Sequence, residues 1–277
     1  MDNTQPNRRA LLMALAGSAL AVVPSASWAA RRLFPEFERI AKQGALRVAM
    51  LAADTPPFFQ VRNGMLKGID VDMANEIGKS LALPVAFDRS PGTFNEVADM
   101  VSRGEADLGI SKISRTLPRA QGVLFSQPYL TLSHGLLLNR VAFAQLAGAR
   151  SLPDVLRSFD GTVGVIAKSS FQDFAAVNFP KARIRPFPSW GDVVGAVERG
   201  EVVAGYRDEL EVKRLLVERP ALALTLRTVT IPDQQDTLGI AVRPDAPGLL
   251  AYVNLLLDAR GKPATVDKIL QAIQSNS

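Results

Sequence analysis

A shift of 96 residues lays "FNEVADMVSRGEADLGI" (94 to 110) over "WGDVVGAVERGEVVAGY" (190 to 206), with Val97/Val193, Val101/Val197, Arg103/Arg199, Gly104/Gly200, Glu105/Glu201 and Gly109/Gly205 identical. Each copy reads as an amphipathic helix stopped by a glycine and followed by a short buried strand. A looser echo pairs "RVAMLAADT" (47 to 55) with "TVGVIAKSS" (162 to 170), two apolar strands that each run into a polar loop. The echoes occur in the same order, strand and loop and then helix, strand and loop, which predicts two similar lobes.

Between and around the echoes, strand-period and helix-period segments alternate. "LRVAML", "VAF", "ADLGI", "GLLLN", "TVGVI", "EVVAGY" and "LGIAV" read as strands. "DVDMANEIGKSLAL" places Val71, Ala74, Ile77 and Leu81 on one helical face, and "SLPDVLRSF", "FQDFAAVNF" and "DELEVKRLLVERP" read as further helices. The chain from about Pro247 onward reads as mostly helical, and "RRLFPEFERIAKQG" as a helical lead-in. Strands separated by helices predict parallel sheets of the α/β class. In such sheets ligands bind beyond the carboxyl ends of the strands. That rule selects Asp54 and Thr55, Ser111 with Lys112 and Ser114, Ser169 and Ser170, and Asp208.

The stretch "ISKISRTLPRAQ" (110 to 121) concentrates hydrogen-bond donors directly after one of these strands. Thr116 is placed to cap a short helix with Pro118 in its first turn. Arg119 then stands beside free backbone donors at the positive end of that helix, where a cation suits an incoming anion better than its own helix. The competing explanation for Arg119, Lys112 and Arg115 is a solvated loop cation, and Asp208 alone reads as the cap of "ELEVKRLL". The complementarity of a cationic end in one lobe and an acidic strand end in the other suits a zwitterion held between them.

Composition removes several chemistries. No cysteine is present, which excludes disulfides, thiolate metal sites and cysteine nucleophiles, and the one histidine, His134, argues against a histidine metal centre or a Ser/His/Asp triad. No cofactor motif appears, so neither cofactor nor metal is expected. The first 29 residues carry Arg8 and Arg9, an uncharged run of 14 residues from Ala10 to Val23, and Ser27-Trp28-Ala29. The run is shorter than the ~20 residues of a membrane span and ends in an A-x-A-like site, the pattern of a cleaved export signal, twin-arginine-like or for general secretion. Its removal leaves 30 basic and 26 acidic residues with no basic block, so nucleic acid is not an expected partner.

The runs "LRVAM", "PPF", "GMLKGIDVDMANEIGKSLALPVAF", "GEADLGISKISRTLPRAQGVLFSQPYL", "GTVGVIAKSS" and "LGIAVRPDAP", in this order over about Leu46 to Leu270, resemble the periplasmic solute-binding proteins of amino-acid ABC transporters. The resemblance implies a two-lobe periplasmic-binding-protein fold with two hinge strands, each lobe an open, mainly parallel sheet flanked by helices. It implies residues 45–136 with 237–277 as lobe 1 and 137–236 as lobe 2, after a signal peptide (1–29) and a lead-in (30–44). The chain then crosses near His134 to Arg140 and returns near Ile231 to Leu238. It also implies a monomer that closes on a small ligand and delivers it to a membrane permease.

Carried over by position, Arg119 matches the arginine that grips the ligand's α-carboxylate, five residues after a serine matched by Ser114. Ser111 and Lys112 fill neighbouring loop positions, with Lys112 where a small residue is common. Ser170 matches a hydroxyl residue at the second lobe's helix start, and Asp208, eight residues after Gly200, matches the aspartate that binds the α-ammonium. Two positions where the family often carries aromatic rings hold Thr55 and Ile69, so the sandwich for flat or long side chains is missing; Phe58 and Phe171 are the available substitutes. Lys112 has two readings, contact with a second acidic group of a dicarboxylic or otherwise anionic ligand, or solvent. Periplasmic cyclohexadienyl dehydratases resemble the same binding proteins, which keeps an enzyme alternative open with Asp54, Asp208 and Glu209 as acid candidates and His134 as structural.

Overall fold

The computed structural model describes residues 33–261 and 265–275. The expected export signal lies outside the described residues. Twelve strands are described: β1 (Leu46–Ala49), β2 (Gln60–Arg62), β3 (Met65–Lys67), β4 (Val85–Asp88), β5 (Leu108–Gly109), β6 (Leu124–Phe125), β7 (Leu130–Asn139), β8 (Thr162–Ile166), β9 (Arg183–Phe187), β10 (Ala204–Asp208), β11 (Leu226–Leu238) and β12 (Ala241–Val242). They form two five-stranded sheets, ordered β4-β1-β5-β12-β6 and β11-β7-β10-β8-β9, and a β2-β3 hairpin.

The two sheets repeat one plan. β1 lies parallel to β4 and β5 in the first, as β8 lies parallel to β9 and β10 in the second. An antiparallel strand then flanks each, β12 beside β5 and β7 beside β10. This is the two-lobed α/β architecture that the echoes predict. The duplicated helices are Phe94–Ser102 and Trp190–Glu198; each is followed by a glycine in the left-handed region, Gly104 (φ 75°) and Gly200 (φ 72°). Their caps match as well, with Thr93 and Ser189 each accepting the N–H three residues on.

β7 and β11 pair antiparallel from Leu226/Asn139 to Leu238/Leu130, with a register shift between Ile231 and Gln235. The shift falls where the returning chain enters the region of Ser114, which bridges Leu238.

Packing follows the apolar spacing. Val71, Ala74 and Ile77 of the helix Ile69–Ser80 are buried, as are Phe94, Val97 and Val101 of the next helix. The lead-in is not loose: Glu36 is buried, and its Oε1 accepts the N–H groups of Gly248 (2.7 Å) and Leu249 (3.3 Å) at the start of the helix Pro247–Arg260. A carboxylate there satisfies donors that the helix itself leaves open. Among the elements beyond the spacing argument are the β2-β3 hairpin, β9 and the helix Arg140–Ala147, all of them short or mostly solvent-facing.

Candidate functional site

The donor-rich loop after β5 is built around Asp70. That carboxylate, fully buried in the first turn of the helix Ile69–Ser80, accepts the Lys112 N–H at 2.6 Å and the Tyr129 hydroxyl at 3.0 Å. Lys112 sits in the left-handed region (φ 51°), a conformation that costs an L-residue about 1 kcal/mol or more. The Asp70 bond offsets that cost and turns the lysine inward. Beside it Ser111, completely buried, accepts the Leu51 N–H at 2.9 Å and ties the loop to the end of β1.

Lys112 therefore reaches neither solvent nor open space. Its Nζ donates to Asp208 Oδ2 at 2.8 Å and to Glu211 Oε1 at 2.8 Å, over the ring of Phe58 at 4.8 Å, with all three charged side chains at most 3% exposed. Asp208 ends β10 and caps the helix Glu209–Glu218 by accepting the Glu211 N–H at 3.2 Å, so both its oxygens are engaged. Lys112 and Asp208 are 96 residues apart, the same offset as the internal repeat. The ion pair thus joins equivalent positions of the two halves.

Two guanidinium groups flank this triad. Arg119, in the short helix Leu117–Ala120, donates through Nε and Nη2 to Asn95 Oδ1 (3.1 and 2.8 Å) and through Nη1 to the Ser114 carbonyl (3.0 Å), all neutral acceptors. Thr116 holds the N-cap position, but its hydroxyl makes no cap bond; the helix is too short for the capping role expected of it. Arg207 is 5% exposed, lies between the rings of Phe94 (5.2 Å) and Phe171 (5.6 Å), and makes no side-chain hydrogen bond among the described residues; its Nε approaches Asp208 Oδ2 only at 3.5 Å. Ser114 Oγ and Ser170 Oγ meet at 2.7 Å, and the Ser114 hydroxyl also donates to Asp236 Oδ2 at 2.8 Å, leaving Asp236 Oδ1 buried and unpartnered. Phe94, Lys112, Ser114, Arg119, Ser170, Phe171, Arg207, Asp208 and Asp236 together line one small cavity.

The electrostatics follow from burial. Desolvation pushes the Asp70 carboxyl up to about 7, against the opposing bonds from Lys112 and Tyr129. Desolvation likewise raises Asp236 to about 6, opposed by the Ser114 bond and reinforced by nearby Asp208. Glu211 is buried too, but the fields of Lys112, Arg214 and Arg207 overcome the desolvation and hold it well below the usual carboxylate range. Burial lowers the affinity of Arg119 for its proton, with Asp236 pulling the other way. His134, buried against Phe171 and Phe174 and bonded to the Tyr206 hydroxyl, is lowered by burial to about 4 and holds no place in the cavity lining.

Of the ten residues that the sequence nominates, five line the cavity: Lys112, Ser114, Arg119, Ser170 and Asp208. Ser111 lies one residue away with its hydroxyl committed to Leu51. Ser169 turns its hydroxyl back to the Ile166 carbonyl at 2.7 Å. Asp54 is exposed, pairs with Arg89 at 3.0 Å and accepts the Val61 N–H at 3.2 Å, while buried Thr55 bridges Phe59 in its own turn. Ile69 faces two other recesses, of about 610 and 310 Å3. Those recesses are larger than the donor-lined cavity, and neither brings together the serine hydroxyls, guanidinium groups and buried carboxylates found there. Glu209 is spoken for by the Ser133 N–H and Lys213. Asp70, Asn95, Arg207, Glu211 and Asp236 are the further polar neighbours; Asp70 and Arg207 adjoin nominated residues in the sequence, while Asn95, Glu211 and Asp236 carry no signal there.

Residues 46–274 match the model for bacterial extracellular solute-binding proteins, family 3. An ABC transporter arginine-binding protein 1 of Escherichia coli (strain K12) is 25% identical over 224 residues, 79% of this chain and 86% of that one. A cyclohexadienyl dehydratase of Pseudomonas aeruginosa is 36% identical over 124 residues, 44% of this chain and 43% of that one. Among solved structures, the ancestral amino acid-binding protein AncCDT-1, described as a precursor of cyclohexadienyl dehydratase, superposes with a TM-score of 0.68 at 28% identity, covering 86% of this chain and 98% of that one.

Proposed function

The chain belongs to family 3 of the bacterial extracellular solute-binding proteins, and from that premise we propose that it captures a small amino acid or related carboxylate between its two halves in the periplasm and delivers it to an ABC transporter permease. The observation that carries the ligand class is the meeting of Arg119 and Arg207 in one cavity, neither of them hydrogen-bonded to a carboxylate, with the hydroxyls of Ser114 and Ser170 beside them. A charge-assisted hydrogen bond contributes roughly 1.5 to 3 kcal/mol, so two such contacts supply about 3 to 6 of the ~8 kcal/mol of micromolar binding. Side-chain burial and closure of the halves supply the remainder. Export by the N-terminal signal and action as a monomer belong to the same reading.

A thermal-shift screen of amino acids, dicarboxylates and opines tests it, because a ligand that binds the folded state alone raises the melting temperature. A concentration-dependent shift with at least one carboxylate is expected; no shift with any of them refutes the assignment. A second reading, a dehydratase on this scaffold, draws support from Asp236, a buried carboxyl in the cavity with one free oxygen and a raised proton affinity, as a general acid requires. Aromatic product from prephenate or arogenate would establish that reading in place of the first.

A further inference from the structure

An α-amino acid held in this cavity needs an acidic partner for its ammonium group. The carboxylate matched to that role, Asp208, has none to offer: Oδ2 takes Lys112 Nζ at 2.8 Å and Oδ1 takes the Glu211 N–H at 3.2 Å. The neighbouring acid, Glu211, is equally committed, with Oε1 on Lys112 Nζ and Oε2 on Arg214 Nη2, both at 2.8 Å. A tethered ammonium at this spot holds a lasting advantage over a free one, since its translational and rotational freedom was lost on folding and not on binding. The donors tell the complementary story. Arg119 is satisfied only by the neutral oxygens of Asn95 and Ser114, and Arg207, nearly buried between two phenylalanine rings, makes no hydrogen bond among the described residues, its carboxylate neighbour Asp208 standing 3.5 Å from Nε and already bonded to Lys112.

Resting on the solute-binding reading above, we propose that the ligand of this cleft is a small carboxylate without an α-ammonium group, a 2-oxo acid, 2-hydroxy acid or dicarboxylate, because Lys112 occupies the ammonium position while Arg119 and Arg207 await an anion. Lys112 is then the specificity-determining residue. The remaining acid in the lining, Asp236, has one free oxygen, but its burial and the nearby Asp208 carboxylate favour its protonated, uncharged form, which is a poor partner for an ammonium group. In its protonated form the same oxygen donates to an anionic ligand.

The test is calorimetric titration of the full chain with matched pairs that differ only at the α-position: 2-oxoglutarate and glutamate, oxaloacetate and aspartate, pyruvate and alanine, and arginine with its 2-oxo analogue. In every pair that binds, the member without the ammonium is expected to bind at least ~10-fold tighter, a difference of about 1.4 kcal/mol. Lys112→Met, which keeps chain length and removes the cation, is expected to shift that ratio at least ~10-fold toward the amino acid. Equal or tighter binding of the amino acids by the unaltered protein overturns the inference and leaves the solute-binding reading standing. Absence of binding by all eight compounds removes both. If Lys112→Met does not fold, the ratios of the unaltered protein decide the matter alone.

Discussion

The buried triad of Lys112, Asp208 and Glu211 joins a loop after β5 to the end of β10, so its removal should register in stability as well as specificity. At 2.8 Å and an effective dielectric of about 20, each lysine–carboxylate contact is worth roughly 6 kcal/mol in gross Coulomb energy. Desolvation of three charges returns most of that sum, and the net value of the intact triad is small. Breaking it is a different matter, because Lys112→Met removes the cation shared by two buried carboxylates and leaves Glu211 on Arg214 and Asp208 with only the more distant Arg207. The expected loss is about 3 to 5 kcal/mol of unfolding free energy near neutral pH.

The sign of the pH dependence is fixed. In the native protein Glu211 is held below its ordinary proton affinity, so its contribution is present above the unfolded value and fades as pH falls through the folded one. In the variant the buried carboxylates lose the Lys112 cation that favours their charged forms, so the cost falls as they protonate. The gap between the two proteins should be widest near pH 7 and narrow toward pH 4.5. Urea denaturation followed by circular dichroism at several pH values measures it, and adding Asp208→Asn, which removes one of the two carboxylates and leaves Glu211 on Arg214, should restore part of the loss. A deficit below ~1 kcal/mol at pH 7, or one that does not change with pH, would refute the electrostatic account of this triad.

Three further outcomes follow from named contacts. Arg119→Ala should lower ligand affinity at least tenfold by calorimetry with little change in melting temperature, since the guanidinium's partners within the protein are neutral. Asp70→Asn should remove a pH dependence: with its folded value raised to about 7, Asp70 destabilises the native state progressively as pH rises from about 4 to 7, so denaturation midpoints should move in the variant's favour over that window, by on the order of 4 kcal/mol at most. Gly68→Ala should cost at least ~2 kcal/mol in the same assay, because at φ 137° an added Cβ collides with the carbonyl groups of Phe58 and Pro57 at the entry to the helix bearing Asp70.

The duplicated helix and strand were legible because both copies obey strict apolar spacing and end in glycines that adopt the same positive φ. The strand-end rule pointed to Lys112, Ser114, Ser170 and Asp208, and the donor-rich start of the short helix to Arg119, and all five line one cavity. Of the residues outside that lining, Asp54 pairs with Arg89 and the Val61 N–H, Thr55 and Ser169 turn to partners in their own turns, and Ile69, drawn from the family resemblance, faces other recesses. The strand-end rule did not point to Arg207 or Asp236, for a different reason. Arg207 precedes Asp208 on a fully buried strand, where alternation points it to the opposite face in an ideal pleat, and Asp236 enters from the returning strand just beyond a register shift. The inward turn of Lys112 depends on a backbone bond to Asp70, 42 residues earlier, which no local pattern records.

The most direct trial of the account is a crystal structure of the protein with the tightest carboxylate from the binding screen. The ligand's carboxylate should lie within ~3.2 Å of the guanidinium nitrogens of Arg119 or Arg207, with Lys112 still on Asp208. A ligand seated instead in the recess beside Ile69, Met73 and Tyr129, with the arginines unaltered, would contradict it.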